Sequence, residues 1–437
     1  MRFSILLILA FNLFATQRLS LKKAKELALK NSPEYLACGE ELNSSKGDLI
    51  QARSGFFPQL NANAGYTYIT PINTITMPVF TIDSITHQPR IDTVTMEFGQ
   101  HNNYSVGLSL QQPIFTWGRL WNSYNLARIN LDIQKLNLQR KEMEIEERVT
   151  EAYYNALVAE RFLALSKEMR EELEKHFKSV KDKYSTGYAS KLELMRAEVK
   201  YKNAEPRVLE AENLYKTTLN SLKLLLGLPQ EEELELTDSL EYTPYEVSLD
   251  TLLKRAFEKR KDLRIMEKRI ELAKRALSIA KSSNKPSLFS QVNYSYRRPI
   301  GFEDKWGGSW NLSLGISLPL FTGFKNRGAV ISAKSRLKQI ELLYKLKKDA
   351  TIMEINSLYN SLETSRKSLE SQKKNVELAE ETFRMAEEQY RQGFASSLDV
   401  MDIELAYYQA RVNYLNALKN YNISLAKLKF AIEGGRL

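Results

Sequence analysis

Asp399 and Asp402 stand three residues apart, directly after the segment Gly393-Phe394-Ala395-Ser396. The spacing predicts a helix start there, with both carboxylates on one helix face. Such a pair can gather cations, or it can simply complement the positive end of the helix dipole, worth roughly 0.3 to 1 kcal/mol per acid. On spacing alone the dipole role is the simpler reading. The rest of the chain offers little that could react. It has no phosphate-binding loop and no coherent Ser-His-Asp set. Its three histidines, His87, His101 and His176, are scattered, so a histidine metal centre is not expected. The lone Cys38 rules out an intrachain disulfide and a cysteine-rich metal site. No enzymatic activity, cofactor or metal is expected.

The elements that must position the acid pair come as a tandem repeat. Residues 19–68 align with 247–296 without a gap: Ser20, Leu21, Ala28, Pro58, Leu60, Tyr66 and Tyr68 recur as Ser248, Leu249, Ala256, Pro286, Leu288, Tyr294 and Tyr296. Further on the offset falls from 228 to 206. Pro113, Phe115 and Thr116 then return as Pro319, Phe321 and Thr322, and residues 184–193 return as 390–399. The 22 surplus residues of the first half lie between Tyr68 and Pro113. A repeat of this length is too long for a solenoid unit and reads as a gene duplication. The predicted organisation is an export signal at 1–17, a first repeat at 18–227, a linker at 228–246 carrying Pro229, Pro244 and Glu231-Glu232-Glu233, and a second repeat at 247–433.

Met1-Arg2 precedes a short apolar run ending near Ala15, which suits a secretory signal and is too short for a comfortable membrane span. No later stretch of about 18 apolar residues occurs, so any membrane crossing must be made by β-strands. Strands are predicted near 59–69, 103–115, 287–297 and 309–321. Their alternation is cleanest where Trp310, Leu312, Leu314, Ile316 and Leu318 oppose Asn311, Ser313, Gly315 and Ser317; Phe289 disturbs the polar face of its strand. Residues 69–103 read as a long loop with a small hairpin, Thr74 to Ile82 and Arg90 to Phe98 being β-rich with His87 between them.

Low Gly (18) and Pro (12) contents favour long helices. One helix opens each half and ends before Pro58 or Pro286. Long helical hairpins follow at 118–226 and 325–432. Their seams, such as Val149, Ala152, Ala156, Ala159, Leu163 and Ser166, keep a 3-4 spacing that predicts coiled-coil packing. A helix from about 118 to 186 would extend roughly 100 Å at 1.5 Å per residue, which calls for a long tube or bundle. Gly187 and Gly393 reverse the chain, and Pro206 should kink the first return helix or break its bonding locally. The net charge of +10 is spread over helices that mix Lys with Glu, which fits solvated faces and not a nucleic-acid surface. The fold class is mainly α with a small β part.

This order of elements resembles the TolC family of outer membrane efflux proteins over essentially the whole mature chain. The resemblance rests on Ala52-Arg53-Ser54-Gly55-Phe56-Phe57-Pro58-Gln59-Leu60, on Pro319-Leu320-Phe321-Thr322-Gly323, and on residues 390–402. It implies a homotrimer in the outer membrane lipid, with a long coiled-coil helical barrel and four strands per chain in one twelve-stranded β-barrel. The implied role is a passive exit duct for efflux or type I secretion, working with a periplasmic adaptor (a membrane fusion protein) and an inner-membrane RND or ABC-type pump. It also implies that Asp399 and Asp402 form acid rings at the tunnel entrance. Tyr390, Glu193 and Glu387 would make the closure links, Tyr390 with Glu193 as hydrogen-bond partners. Gly187, Ser190, Gly393 and Ser396 would turn the helices and dock the adaptor. The chain departs from the pattern at Ala395, where an arginine is expected, and at His176, where an amide is expected; Lys191 is a candidate substitute link. The alternative is a non-transporting coiled-coil structural or adaptor protein of the cell envelope.

Overall fold

The computed structural model describes residues 17–85, 88–301 and 303–434. The expected export segment therefore lies outside the described residues except for Gln17, and His87 lies outside them too. In chain order the elements are β1 (Gln17–Leu19), α1 (Leu21–Asn31), α2 (Pro33–Ser54), β2 (Gln59–Tyr68), β3 (Asn73–Ile82), β4 (Pro89–Phe98), β5 (Asn102–Phe115), α3 (Arg119–Ser185), α4 (Lys191–Leu226), β6 (Leu234–Leu236), α5 (Leu249–Lys259), α6 (Lys261–Ser282), β7 (Ser287–Arg298), β8 (Gly307–Ser317), α7 (Lys325–Arg391) and α8 (Ser397–Glu433).

Two compact units result, and neither coincides with a repeat. One holds residues 17–43, 132–269 and 341–434; the other holds 44–131 and 270–340. Each draws on both repeats, for a physical reason visible in the second unit. A pair of strands is marginal by itself, so the two strand pairs join into one antiparallel sheet in the order β2-β5-β7-β8. Rows across it are chemically uniform. Leu60, Leu110, Val292 and Leu312 line up on one face, and Asn61, Ser109, Asn293 and Asn311 on the other. The apolar face is largely exposed in the single chain, Trp310, Leu314 and Ile316 most of all. Phe289 is accommodated on the polar face because Gly315 stands opposite: a Cβ there would lie 2.4 Å from the Phe289 ring.

The last strand stops earlier than its sequence suggests. β8 ends at Ser317, ahead of Pro319, whereas β5 runs past the matching Pro113 to Phe115 with a register shift. β5 has neighbours on both sides, while β8 is an edge strand within the chain, so a residue without an N–H ends it more easily. The surplus of the first half forms the β3–β4 hairpin, with Ile75 opposite Met96 and Met77 opposite Val94.

The first unit contains two cores that repeat residue for residue. Ala24 and Ala28 of α1 pack with Val149 and Ala156 of α3 and Leu222 and Leu226 of α4. Leu252 and Ala256 of α5 pack with Ile355 and Leu362 of α7 and Leu428 and Ile432 of α8. The single opening helix predicted for each half is in fact two. The first breaks at Ser32, because Pro33 disfavours helix in the residue before it and suits the first helical position. The second breaks at Arg260, whose ψ of 124° is non-helical and whose side chain is held by acids. The linker is also partly ordered: β6 pairs in parallel with β1, and Gln17 is the first residue of that ladder. α4 continues through Pro206.

Candidate functional site

The two helical reversals are built alike. Gly187 and Gly393 have φ of 81° and 83°, a left-handed conformation that side-chain-bearing residues adopt only with strain. Around them Tyr188 N donates to Lys183 O (2.8 Å) and Gly187 N to Tyr184 O (3.1 Å); Phe394 N donates to Gln389 O (2.8 Å) and Gly393 N to Tyr390 O (3.1 Å). These are the 6→1 and 5→2 bonds that satisfy the last carbonyls of a helix. The return helices then start with capping boxes. Ser190 Oγ accepts from Glu193 N (3.2 Å) while Glu193 accepts from Ser190 N (2.7 Å), and Ser396 exchanges the same bonds with Asp399.

This geometry places the predicted acids. Asp399 is exposed, and bonds from the Ser396 hydroxyl and N–H hold its carboxyl below the ordinary carboxylate range. Asp402 is exposed as well and accepts from Lys200 Nζ of α4 at 2.9 Å. The pair therefore combines one cap acid with one ion-paired acid.

The expected closure link is not made within the chain. Glu193 is engaged in its capping box, so Tyr390 and Glu193 do not bond to each other. Tyr390 instead faces His176, with ring centroids 5.7 Å apart, and Lys183 Nζ lies 3.9 Å from the centre of its ring. His176 Nε2 meets Ser397 Oγ at 2.7 Å, and burial together with Lys183 lowers the imidazole's affinity for a proton. Glu387 is half-buried and faces Glu404. The lysines that engage the site are Lys183 and Lys200, while Lys191 makes no ion pair among the described residues.

Three further participants are Lys200, Ser397 and Glu404. Lys200 lies 202 residues from its partner and Ser397 lies 221 from His176, distances over which spacing carries no signal. Glu404 was findable: it occupies the 3-4 series Ser397, Met401, Glu404, Tyr408, whose members are all buried.

Capped reversals of this kind thus end two long hairpins in a chain that also carries a four-stranded sheet. A profile of the outer membrane efflux protein family matches residues 25–228 and 252–434, and the chain belongs to that family. Its location is the outer membrane and its role that of an exit duct; no finding supports the non-transporting alternative. Among relatives, the chain is 21% identical to the alkaline protease secretion protein AprF of Pseudomonas aeruginosa, over 97% of this chain and 86% of that one. It is 22% identical to the outer membrane protein TolC of Escherichia coli, over 95% and 83%. The outer membrane protein VceC of Vibrio cholerae shares the fold with a TM-score of 0.73 at 19% identity, covering 95% of this chain and 97% of that one.

Proposed function

We propose that three copies of this chain close a single β-barrel of twelve strands and a helical tunnel. This duct passively conducts substrates handed over by a periplasmic adaptor and an inner-membrane pump, with no catalysis in the chain itself. The observation that carries the reading is the four-stranded sheet. Its outer strands β2 and β8 each leave one edge without a partner among the described residues, one face is apolar and exposed, and the other is lined largely by Asn, Ser and Gly. About eight strands are needed to close a barrel, and an open edge cannot sit in lipid. Other copies must supply the missing strands. The secretion role in the name of one relative and the family description of efflux support either kind of cargo. The repeated turns, from Gly187 to Ser190 and from Gly393 to Ser396, offer the adaptor two similar docking points.

In this reading Asp399 and Asp402 line the tunnel entrance and favour cations. Lys200 offsets one of the two charges in each chain, so the ring is less acidic than six free carboxylates would make it. Planar-bilayer recording of Asp399→Ala/Asp402→Ala tests the assignment. Cation selectivity and block by a trivalent ion from the periplasmic side should fall, with the trimer intact. Unchanged selectivity and block would reduce both residues to helix-start acids, and a one-chain mass in mild detergent would overturn the trimer.

A further inference from the structure

α8 turns one buried row of side chains towards its neighbours. Ser397 Oγ meets His176 of α3, Met401 packs with Val180 of α3 and Ala197 of α4, and Tyr408 OH meets Ser166 Oγ of α3 at 2.9 Å. Between them sits Glu404, only 8% exposed, in no hydrogen bond or ion pair among the described residues, its carboxyl oxygens keeping some access to solvent. The charged groups facing it are two further carboxylates, Glu172 of α3 and Glu387 of α7. Cations of the same helices are paired with other groups: Lys175 with Glu172, Lys200 with Asp402, Arg411 with Glu168, and Lys183 with the Tyr390 ring. A buried acid without a partner resists ionisation, and neighbours of like charge add to the resistance.

We propose that Glu404 regulates the entrance: while protonated it lets α8 stay packed on α3 and α7, and on ionisation it drives α8 away from Glu172 and Glu387, so that the duct opens as the periplasm becomes more alkaline. This rests on the duct reading and adds a control to it.

Burial, then Glu172, then Glu387 push the Glu404 carboxyl from its ordinary 4.5 up to about 7. A group whose packed-state pKa is raised favours packing fully below its free value and ceases to do so as pH rises through the packed value. The share of the packing that depends on Glu404 is therefore full below pH 4.5 and is lost as pH rises to about 7. His176 acts in the opposite sense. Its imidazole is held below the usual histidine range, so its share of the packing is lost on acidification. The two groups bound a window of mildly acidic pH in which the closed arrangement is favoured.

The test is a planar-bilayer recording of the full-length protein between pH 5 and pH 8, paired with amide-exchange protection of residues 398–408 corrected for the intrinsic effect of pH. In the wild type the open-to-closed ratio should rise on the order of tens-fold per chain, and protection should fall in parallel. Glu404→Gln should keep the entrance closed and protected throughout. Glu387→Gln, which keeps Glu404 ionisable but removes one repelling neighbour, should shrink the rise in the open-to-closed ratio. A profile in Glu404→Gln identical to the wild type, or an undiminished rise in Glu387→Gln, would overturn the switch. A protection change abolished by Glu404→Gln, with no conductance at any pH, would keep the switch and overturn the duct.

Discussion

In the first repeat Glu34, at the start of α2, accepts from Arg148 (2.8 Å) and Lys141 (3.3 Å) of α3. The matching positions of the second repeat are Asp262, Glu354 and Lys347. Lys347 still pairs with the acid at 3.2 Å, but the arginine has changed place. Arg260, where the first repeat has Ser32, bonds Asp262 through two nitrogens (2.9 and 2.8 Å) and reaches Glu354 at 2.9 Å. Burial changes with it: Arg148 and Glu34 are 40% and 53% exposed, whereas Arg260 and Asp262 are 0% exposed. One corner of the duplicated design is thus fastened twice, by a solvated cluster and by a buried one. Duplicated sequence preserves the site of an interaction more faithfully than its strength.

The difference can be broken first by removing the arginines. Arg260→Ala leaves Asp262 buried with Lys347 as its one remaining ion-pair partner among the described residues and should cost about 3 to 5 kcal/mol, while Arg148→Ala should cost less than about 1 kcal/mol. Denaturant midpoints of the two variants would test this, and equal losses would mean that burial does not separate the clusters. Glu404 and its counterpart Glu198 extend the contrast, since Glu198 is exposed. Stability should decline by on the order of 3 kcal/mol from pH 4.5 to 7 through Glu404. Glu404→Gln should flatten that decline in a pH series of unfolding curves, and Glu198→Gln should leave it in place. The reversals should behave alike: Gly187→Ala and Gly393→Ala should each lower stability by about 1 to 2 kcal/mol through left-handed strain, and a clear inequality would expose a load on one turn that its geometry does not show. The smallest change is expected for Lys200→Met. Stability should stay within about 1 kcal/mol, while bilayer recordings should show a stronger preference for cations once Asp402 is released.

Long periodic elements were legible in the sequence because their signal is spread over many residues. The seams through Val149 and Ile355 and the alternation from Trp310 to Ile316 mark elements whose type no single substitution can hide. Short or contingent features were not. A one-residue break at Ser32 or Arg260 leaves the apolar spacing on either side intact. β1 and β6, three residues each, are too short to show a period. At the candidate site the turn glycines, the capping serines and the acid pair were readable as local patterns. The partners of His176 and Asp402 were not, because they come from helices that approach only after folding. Within the chain the expected bond between Tyr390 and Glu193 is not made, and Glu193 accepts from the N–H of Ser190.

The ladder between β5 and β7 pairs Tyr104 with Arg298 and Leu108 with Tyr294, residues separated by most of the first repeat and the linker. Such contacts have high sequence separation and form slowly, whereas the hairpins of α3 with α4 and of α7 with α8 need only local closure. Assembly should therefore run from helices to sheet. Until β5 finds β7, each half carries a lone strand pair with an uncovered apolar face, the condition under which exported chains aggregate or recruit chaperones. Pulse-labelled hydrogen exchange during refolding should show α3 and α7 protected before β5 and β7, and the interval between them is the time during which this chain is most in need of an escort.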